Sequence, residues 1–211
     1  MNEIKAIIFD MDGVLVEARD WHYEAFNKAL NLFGLEISRK DHLFKYDGLP
    51  TKDKLKILTD QYGLPSKLHK FINELKQKYT MRIIHTNCNP SFIHEYALYN
   101  FKKEGYRMAV ASNSIRITID TIMNYTNLSD YLEFYLSNED VEKGKPDPEV
   151  YIQAIKRFKL LPTECLIIED NPNGIKAAEG SGAWVMEVEG PHDVTYQKIK
   201  SYISGIEAKK S

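Results

Sequence analysis

Cysteine is scarce in this chain: Cys88 and Cys165 are its two thiols in 211 residues. Two are too few for a disulfide scaffold, and a reducing cytoplasm is the compartment they fit. Long apolar runs are missing as well. None approaches the roughly 20 residues that a membrane-spanning helix needs. No basic region followed by a long apolar stretch opens the sequence, so neither a membrane partner nor an export signal is expected. Positive charge is not in excess, since 28 Lys and Arg face 30 Asp and Glu for a formal net charge of -2. Without a basic field or patch, nucleic acid is excluded as a main partner. A glycine-rich Walker-type loop is absent, which removes the P-loop way of holding a nucleotide. Internal repeats and low-complexity segments are absent too. What is left, 43% hydrophobic and 27% charged, is an ordinary soluble globular composition. It is long enough for one large domain or for one domain carrying a smaller insertion.

Short apolar runs supply the fold class. Ala6 to Phe9, Met108 to Ala111, Leu166 to Ile168 and Trp184 to Val188 are nearly continuous in hydrophobicity, as strands buried on both faces of a parallel sheet are. Phe134 to Leu136 is a fifth candidate. Helical spacing fills the intervals: Ile115, Ile119, Ile122 and Met123 share one face, and Tyr151, Ile155 and Phe158 share another. Asp147 reads as the cap of the second helix, with Pro148 in its first turn. Strand and helix in alternation predict a doubly wound α/β core.

The stretch from Val16 to about Cys88 breaks that rhythm. Trp21, Ala25, Ala29 and Phe33 recur at helical spacing, then Leu55 and Leu58, then Leu68, Ile72 and Leu75, with Gly34, Gly48 and Gly63 at the breaks. An all-helical insertion over residues 16–89 is expected, with the core made of 1–15 and 90–211. The crossover back to the core is expected over Met81 to Pro90, because Asn87, Asn89 and Pro90 suit a helix interior poorly. The tail from Glu207 to Ser211 reads as frayed.

In an open parallel sheet, ligands bind beyond the carboxyl ends of the strands. Asp10, Met11 and Asp12 follow the first strand, Ser112 and Asn113 follow the second, and Glu169 and Asp170 follow the fourth, while the loop "GKPDPE" brings Lys145. Four acids gathered at one edge repel one another unless a cation joins them, and hard oxygen donors of this kind suit Mg²⁺. Mg²⁺ and Lys145 together leave room for a dianionic guest, and a phosphoryl group is the natural one. Asp10 then serves as metal ligand and nucleophile. Asp12 serves as acid toward the leaving alkoxide and as base toward water. Gly13 permits the tight exit from the strand.

These residues resemble the motifs of the haloacid dehalogenase superfamily of phosphatases and phosphomutases: "DMDGV" (Asp10 to Val14), "ASNS" (Ala111 to Ser114), "KPDPE" (Lys145 to Glu149) and "IIEDNPNGIKAA" (Ile167 to Ala178), in family order. The resemblance implies Mg²⁺ held by Asp10, Asp170 and the main-chain carbonyl of Asp12, with Glu169 bound directly or through water. It implies phosphate oxygens on Ser112 and the amide of Asn113, with Lys145 stabilising the phosphoryl charge. It also implies a helical C1 cap of the β-phosphoglucomutase-like branch, closing over a small phosphorylated substrate such as a sugar phosphate, in a monomer. Asp12 favours phosphate chemistry, because the metal-free dehalogenase branch lacks an aspartate there.

Two enzymatic readings remain open. His22, ten residues after Asp12, matches a histidine of the mutases. The cap loop "KYDGLPTKD" departs from them: aligned on Gly48, Asp47 stands where a lysine is expected and Thr51 where an arginine grips a distal phosphate. Lys45 or Lys52 restores a cation if the register slips. Asn113 is the phosphatase-like choice. A Mg²⁺-dependent phosphomonoester hydrolase is therefore the leading expectation, ahead of a sugar phosphomutase and of a non-catalytic binding module. His42, His69, His85, His94 and His192 lack zinc spacing and read as structural or surface groups. Tyr96, Tyr99 and Phe101 read as core packing.

Overall fold

The computed structural model of the protein describes residues 3–208. Strand β1 (Ala6–Phe9) is followed by helices α1 (Arg19–Asn31), α2 (Arg39–Asp41), α3 (Thr51–Tyr62) and α4 (His69–Asn87). Next come α5 (Phe92–Lys103), β2 (Arg107–Ala111), α6 (Arg116–Tyr125) and β3 (Phe134–Leu136). Then follow α7 (Glu149–Phe158), β4 (Cys165–Glu169), α8 (Pro172–Gly180), β5 (Trp184–Glu187) and α9 (Tyr196–Ala208). The chain forms two compact units, one running to Glu17 and resuming at Asn89, the other spanning Ala18–Cys88.

The first unit is built on a parallel sheet in the order β3-β2-β1-β4-β5. β1 lies at its centre, and Ala6, Ile7, Ile8 and Phe9 are all fully buried. That explains an apolar run without alternation, since both faces of a central parallel strand are covered. Burying an Ile or Phe side chain of this kind contributes about 1.5–3 kcal/mol. On one face Ala6, Ile8, Ala109, Ala111 and Ile167 pack against Val150, Tyr151, Ala154, Ile155 and Phe158 of α7 and Ala177 and Ala178 of α8. From β1 the chain moves outward through β2 to β3, then crosses to β4 on the other flank of β1. The reversal of winding direction at β1 opens a crevice at the carboxyl edge.

The second unit holds helices and no strand. Its own core gathers Phe26, Ala29 and Leu30 of α1, Leu55 and Leu58 of α3 and Ile72 of α4, together with Ile37, Tyr46 and Leu64 from the segments between these helices. Asn27 stitches the unit from inside: Nδ2 donates to the Ile37 carbonyl at 2.9 Å and Oδ1 accepts from the Ile37 amide at 2.9 Å. Gly63 ends α3 in the left-handed region at φ 68°, its amide returning to the last turn.

Several boundaries differ from the sequence reading. α4 continues through Asn87, so Met81–Asn87 is helix and the connection shrinks to the few residues before α5. Tertiary packing of Ile83 and Ile84, both buried, outweighs the low propensity of the asparagine. α7 is capped by Pro148, one position later than expected; Asp147 still contributes, its Oδ1 accepting from the Glu149 amide at 3.1 Å. Glu207 and Ala208 belong to α9, and the remainder of the expected frayed tail lies outside the described residues. Phe101 is buried as expected, but Tyr96 and Tyr99 are 45% and 53% exposed. Tyr96 stacks on Phe92 and meets Tyr196 of α9 edge-on, each at 6.2 Å between ring centroids. Both cysteines are free and buried.

Candidate active site

Register brings the acids together. Phe9 is paired with Val110 on one side and Ile168 on the other, so the residues next in line, Asp10, Ala111 and Glu169, reach the same carboxyl edge of the sheet. The Asp10 amide donates to the Ile168 carbonyl at 3.0 Å. Asp10, Glu169 and Asp170 each bring a carboxylate oxygen within 4.8 Å of the others. Gly13 makes room for this: it sits at φ 89°, and a Cβ there would fall 2.1 Å from Oδ2 of Asp170. Gly174, in the first turn of α8, does the same for Glu169, with a Cβ position 1.8 Å from Oε1.

Lys145 enters from the loop before α7 and is buried. Its Nζ donates to Oδ1 of Asp10 and to Oε1 of Glu169, each at 2.6 Å. Asn113 fixes the loop: its Oδ1 accepts from the Lys145 amide at 2.9 Å and its Nδ2 donates to the Lys145 carbonyl at 3.1 Å. The peptide bond that follows, Lys145–Pro146, is cis. The Asn113 side chain thus serves the lysine loop, a task the sequence reading did not give it.

Glu169 is saturated by donors. Oε1 accepts from Lys145 Nζ and from Tyr151 Oη at 2.7 Å, and Oε2 accepts from the amides of Asp170 and Asn171 at 3.0 and 3.2 Å. A carboxylate offers about four lone-pair sites, and these donors take them. Asp12 lies in the turn after β1, where Oδ2 accepts from Ser114 Oγ at 2.9 Å. The Ser114 amide in turn donates to Oγ of buried Ser112 at 3.0 Å. One hydrogen-bonded chain therefore links the second motif to the first.

Electrostatics follow from four acids and one ammonium. Burial pushes the Asp10 carboxyl well above its ordinary value, Lys145 opposes this, and Glu169, Asp12 and Asp170 add to it. Burial also works against the charge of Lys145, yet Asp10 and Glu169 hold its pKa above the usual lysine value.

Asp10, Asp12, Ser112, Asn113, Lys145, Glu169 and Asp170 thus meet in the sheet-based unit. His22, Asp47, Gly48 and Thr51 belong to the helical unit. There His22 Nδ1 lies 3.3 Å from Lys76 Nζ. Asp47 lies 3.4 Å from Arg19 Nε and 3.8 Å from His42 Nε2. Gly48 takes φ 71° and Thr51 opens α3. Sequence reasoning missed Ser114 and Tyr151 as members of the site. Ser114 closes the quoted "ASNS", so its signal was available; Tyr151 sits on an apolar helix face and looks like core. His192 also joins Glu189 and Asp193 in a group with ligand-like spacing, but it is an exposed surface cluster in which Asp193 already pairs with Lys198.

The family model for haloacid dehalogenase-like hydrolases matches residues 7–188, which takes in every acid of the cluster. The chain is 26% identical over 182 residues to the phosphorylated carbohydrates phosphatase of Thermotoga maritima, covering 85% of this chain and 82% of that one. It is 25% identical over 181 residues to the phosphoglycolate phosphatase of Aquifex aeolicus, covering 85% and 82%. A solved β-phosphoglucomutase from Clostridium difficile is similar in fold, with a TM-score of 0.83 over 97% of this chain and 99% of that one at 21% identity.

Proposed function

The chain belongs to the haloacid dehalogenase-like hydrolases, and within that family we propose that it is a phosphatase for a small phosphorylated metabolite, a sugar phosphate, working through an aspartyl-phosphate on Asp10. The observation that carries the reading is the buried Lys145 ammonium shared between Asp10 and Glu169 at 2.6 Å each, with Asp12 and Asp170 beside them. The phosphatase names of the Thermotoga and Aquifex relatives support the substrate class.

The donor set fits Mg²⁺. Carboxylate oxygens of Asp10 and Asp170 within 4.8 Å of each other, in a buried site where burial first and the neighbouring acids next disfavour the Asp10 charge, favour a hard divalent cation. Asp10, Asp170 and the carbonyl of Asp12 are its proposed holders. Glu169, its oxygens taken by other donors, supports Lys145 and the start of α8 instead of binding the ion directly. When bound, the ion supplies positive charge against the phosphoryl oxygens and the nucleophile.

In the proposed reaction a carboxylate oxygen of Asp10 attacks phosphorus and the ester P–O bond breaks. The electron pair leaves on the alkoxide oxygen, which takes a proton from Asp12. Asp12 then takes a proton from water, whose oxygen attacks the phosphorus and breaks the bond to Asp10, releasing inorganic phosphate. Ser114 holds Asp12 in position. Ser112 and the amide of Asn113 bind phosphoryl oxygens, and Lys145 balances their charge. In the helical unit, His22, Gly48 and Thr51 are the proposed substrate-recognition residues, while Asp47 is committed to Arg19.

Phosphate release from a panel of sugar phosphates and an aryl phosphate, with and without Mg²⁺, tests the reading. Mg²⁺-dependent free phosphate is expected. Isomerised sugar phosphate without free phosphate would assign a mutase instead, and neither product would refute catalysis.

A further inference from the structure

Tyr151 lies outside the four motifs, yet it touches both partners of the central ion pair. It is fully buried on the inner face of α7. Its Oη donates to Oε1 of Glu169 at 2.7 Å, and the Lys145 ammonium stands 4.6 Å from its ring centroid. An ammonium over an aromatic face at that distance is attracted by the ring quadrupole. Burial and the Glu169 charge hold the phenol pKa well above 10.0, so the hydroxyl remains a donor.

We propose that Tyr151 is a positioning residue that keeps the Lys145 ammonium shared between Asp10 and Glu169. The reasoning is a competition for one ammonium. Oε1 of Glu169 and Oδ1 of Asp10 stand at the same 2.6 Å from Nζ, although Glu169 is the more deeply buried of the two acids. A buried charge attracts its partner more strongly as its surroundings lose polarity. Without a second donor on Oε1, Glu169 draws Lys145 toward itself and away from the nucleophile. The tyrosine hydroxyl satisfies part of that oxygen's charge, and its ring limits where the ammonium can go. Phenylalanine at 151 keeps the ring and loses the donor; leucine loses both.

The kinetic arm of the test rests on the phosphatase reading, whereas the spectroscopic arm does not. Tyr151→Phe, Tyr151→Leu and a variant with a fluorinated tyrosine at 151 are compared with the parent protein. For Tyr151→Phe, kcat falls about tenfold with KM within about twofold, the size expected for a lost hydrogen bond to a charged group. The ¹⁵N resonance of the Lys145 ammonium in the substrate-free protein shifts or broadens. The fluorinated tyrosine, which keeps the O–H, retains both the kcat and the resonance, and Tyr151→Leu loses more of each. An unchanged ammonium resonance in Tyr151→Phe overturns the inference, whatever happens to kcat. So does a kcat within about twofold of the parent, or a loss of rate matched by loss of folded protein. Where the parent protein itself shows no turnover, a resonance shifted by Tyr151→Phe supports the positioning role and refutes the hydrolase reading, and the kinetic outcomes do not apply.

Discussion

Lys145 is the residue on which the site's charge balance turns. It is buried between two carboxylates, and removing one partner of a buried ion pair leaves uncompensated charge at a cost of about 3–5 kcal/mol. Lys145→Met is therefore expected to lower the urea unfolding free energy by about that amount in the absence of divalent cation, together with loss of turnover. An unchanged midpoint would contradict the burial argument. His42 makes an opposite kind of statement. Its ring is buried near Lys54, Arg39 and His22, and burial first, then Lys54 and Arg39, lowers its pKa to about 3, with Asp20 acting the other way. The folded state keeps this ring neutral while the unfolded chain protonates it below about 6.5. Stability then falls as pH drops from about 6.5 to about 3, by up to about 1.4 kcal/mol per unit. Urea midpoints across that range should show a steeper slope in the parent than in His42→Gln. The acids were legible in the sequence because they follow apolar runs whose ends meet at one sheet edge, and Lys145 because its loop "GKPDPE" stands in order with the other three motifs. Tyr151 was not, because one hydroxyl on the Val150, Ala154, Ile155 and Phe158 face does not disturb a hydrophobic pattern. The amide of Asn113 was assigned to phosphate by motif, whereas the two bonds of its side chain to Lys145 reach a loop 32 residues away that local pattern does not reveal.

Elements carry the glycines and polar stitches that hold these side chains in place. A glycine replaced by alanine in a helix ordinarily gains about 0.4–1 kcal/mol. Gly174 in α8 should reverse that sign, because the added Cβ would meet Glu169 at 1.8 Å and displace the carboxylate that holds Lys145. Gly174→Ala is expected to lose more than about 1 kcal/mol in urea unfolding, and a stabilised variant would show that the first turn of α8 gives way instead. In the helical unit, Asn27→Ala strips both bonds from Ile37 and should cost about 1–3 kcal/mol by the same measurement. Strands were read from sequence to within a residue or so, since β1 and its neighbours bury both faces and leave no ambiguity of period. Helix ends were harder. Asn87 extends α4 because the turn before it buries Ile83 and Ile84, a tertiary effect that local propensity does not contain, and α9 lacked any chemistry to call attention to it.

At the scale of the whole molecule, the buried acids and Lys145 gather at one edge of the sheet-based unit. The order β3-β2-β1-β4-β5 places the two acid-bearing strand ends, β1 and β4, side by side, though 159 residues separate Asp10 from Glu169 in the chain. That juxtaposition was legible, because a doubly wound sheet fixes where its loops converge. The distribution of Asp47 was not: its pairing with Arg19 depends on the fold of the helical unit and not on the loop's own pattern. The most direct test of the account asks where the phosphoryl group goes. Asp12→Asn, quenched in acid after mixing with a phosphoryl-labelled sugar phosphate and Mg²⁺, should carry the label on the peptide containing Asp10, and the label should vanish in Asp10→Asn. Steady phosphate release from the parent with no label on Asp10 in the trapping variant would contradict the covalent mechanism.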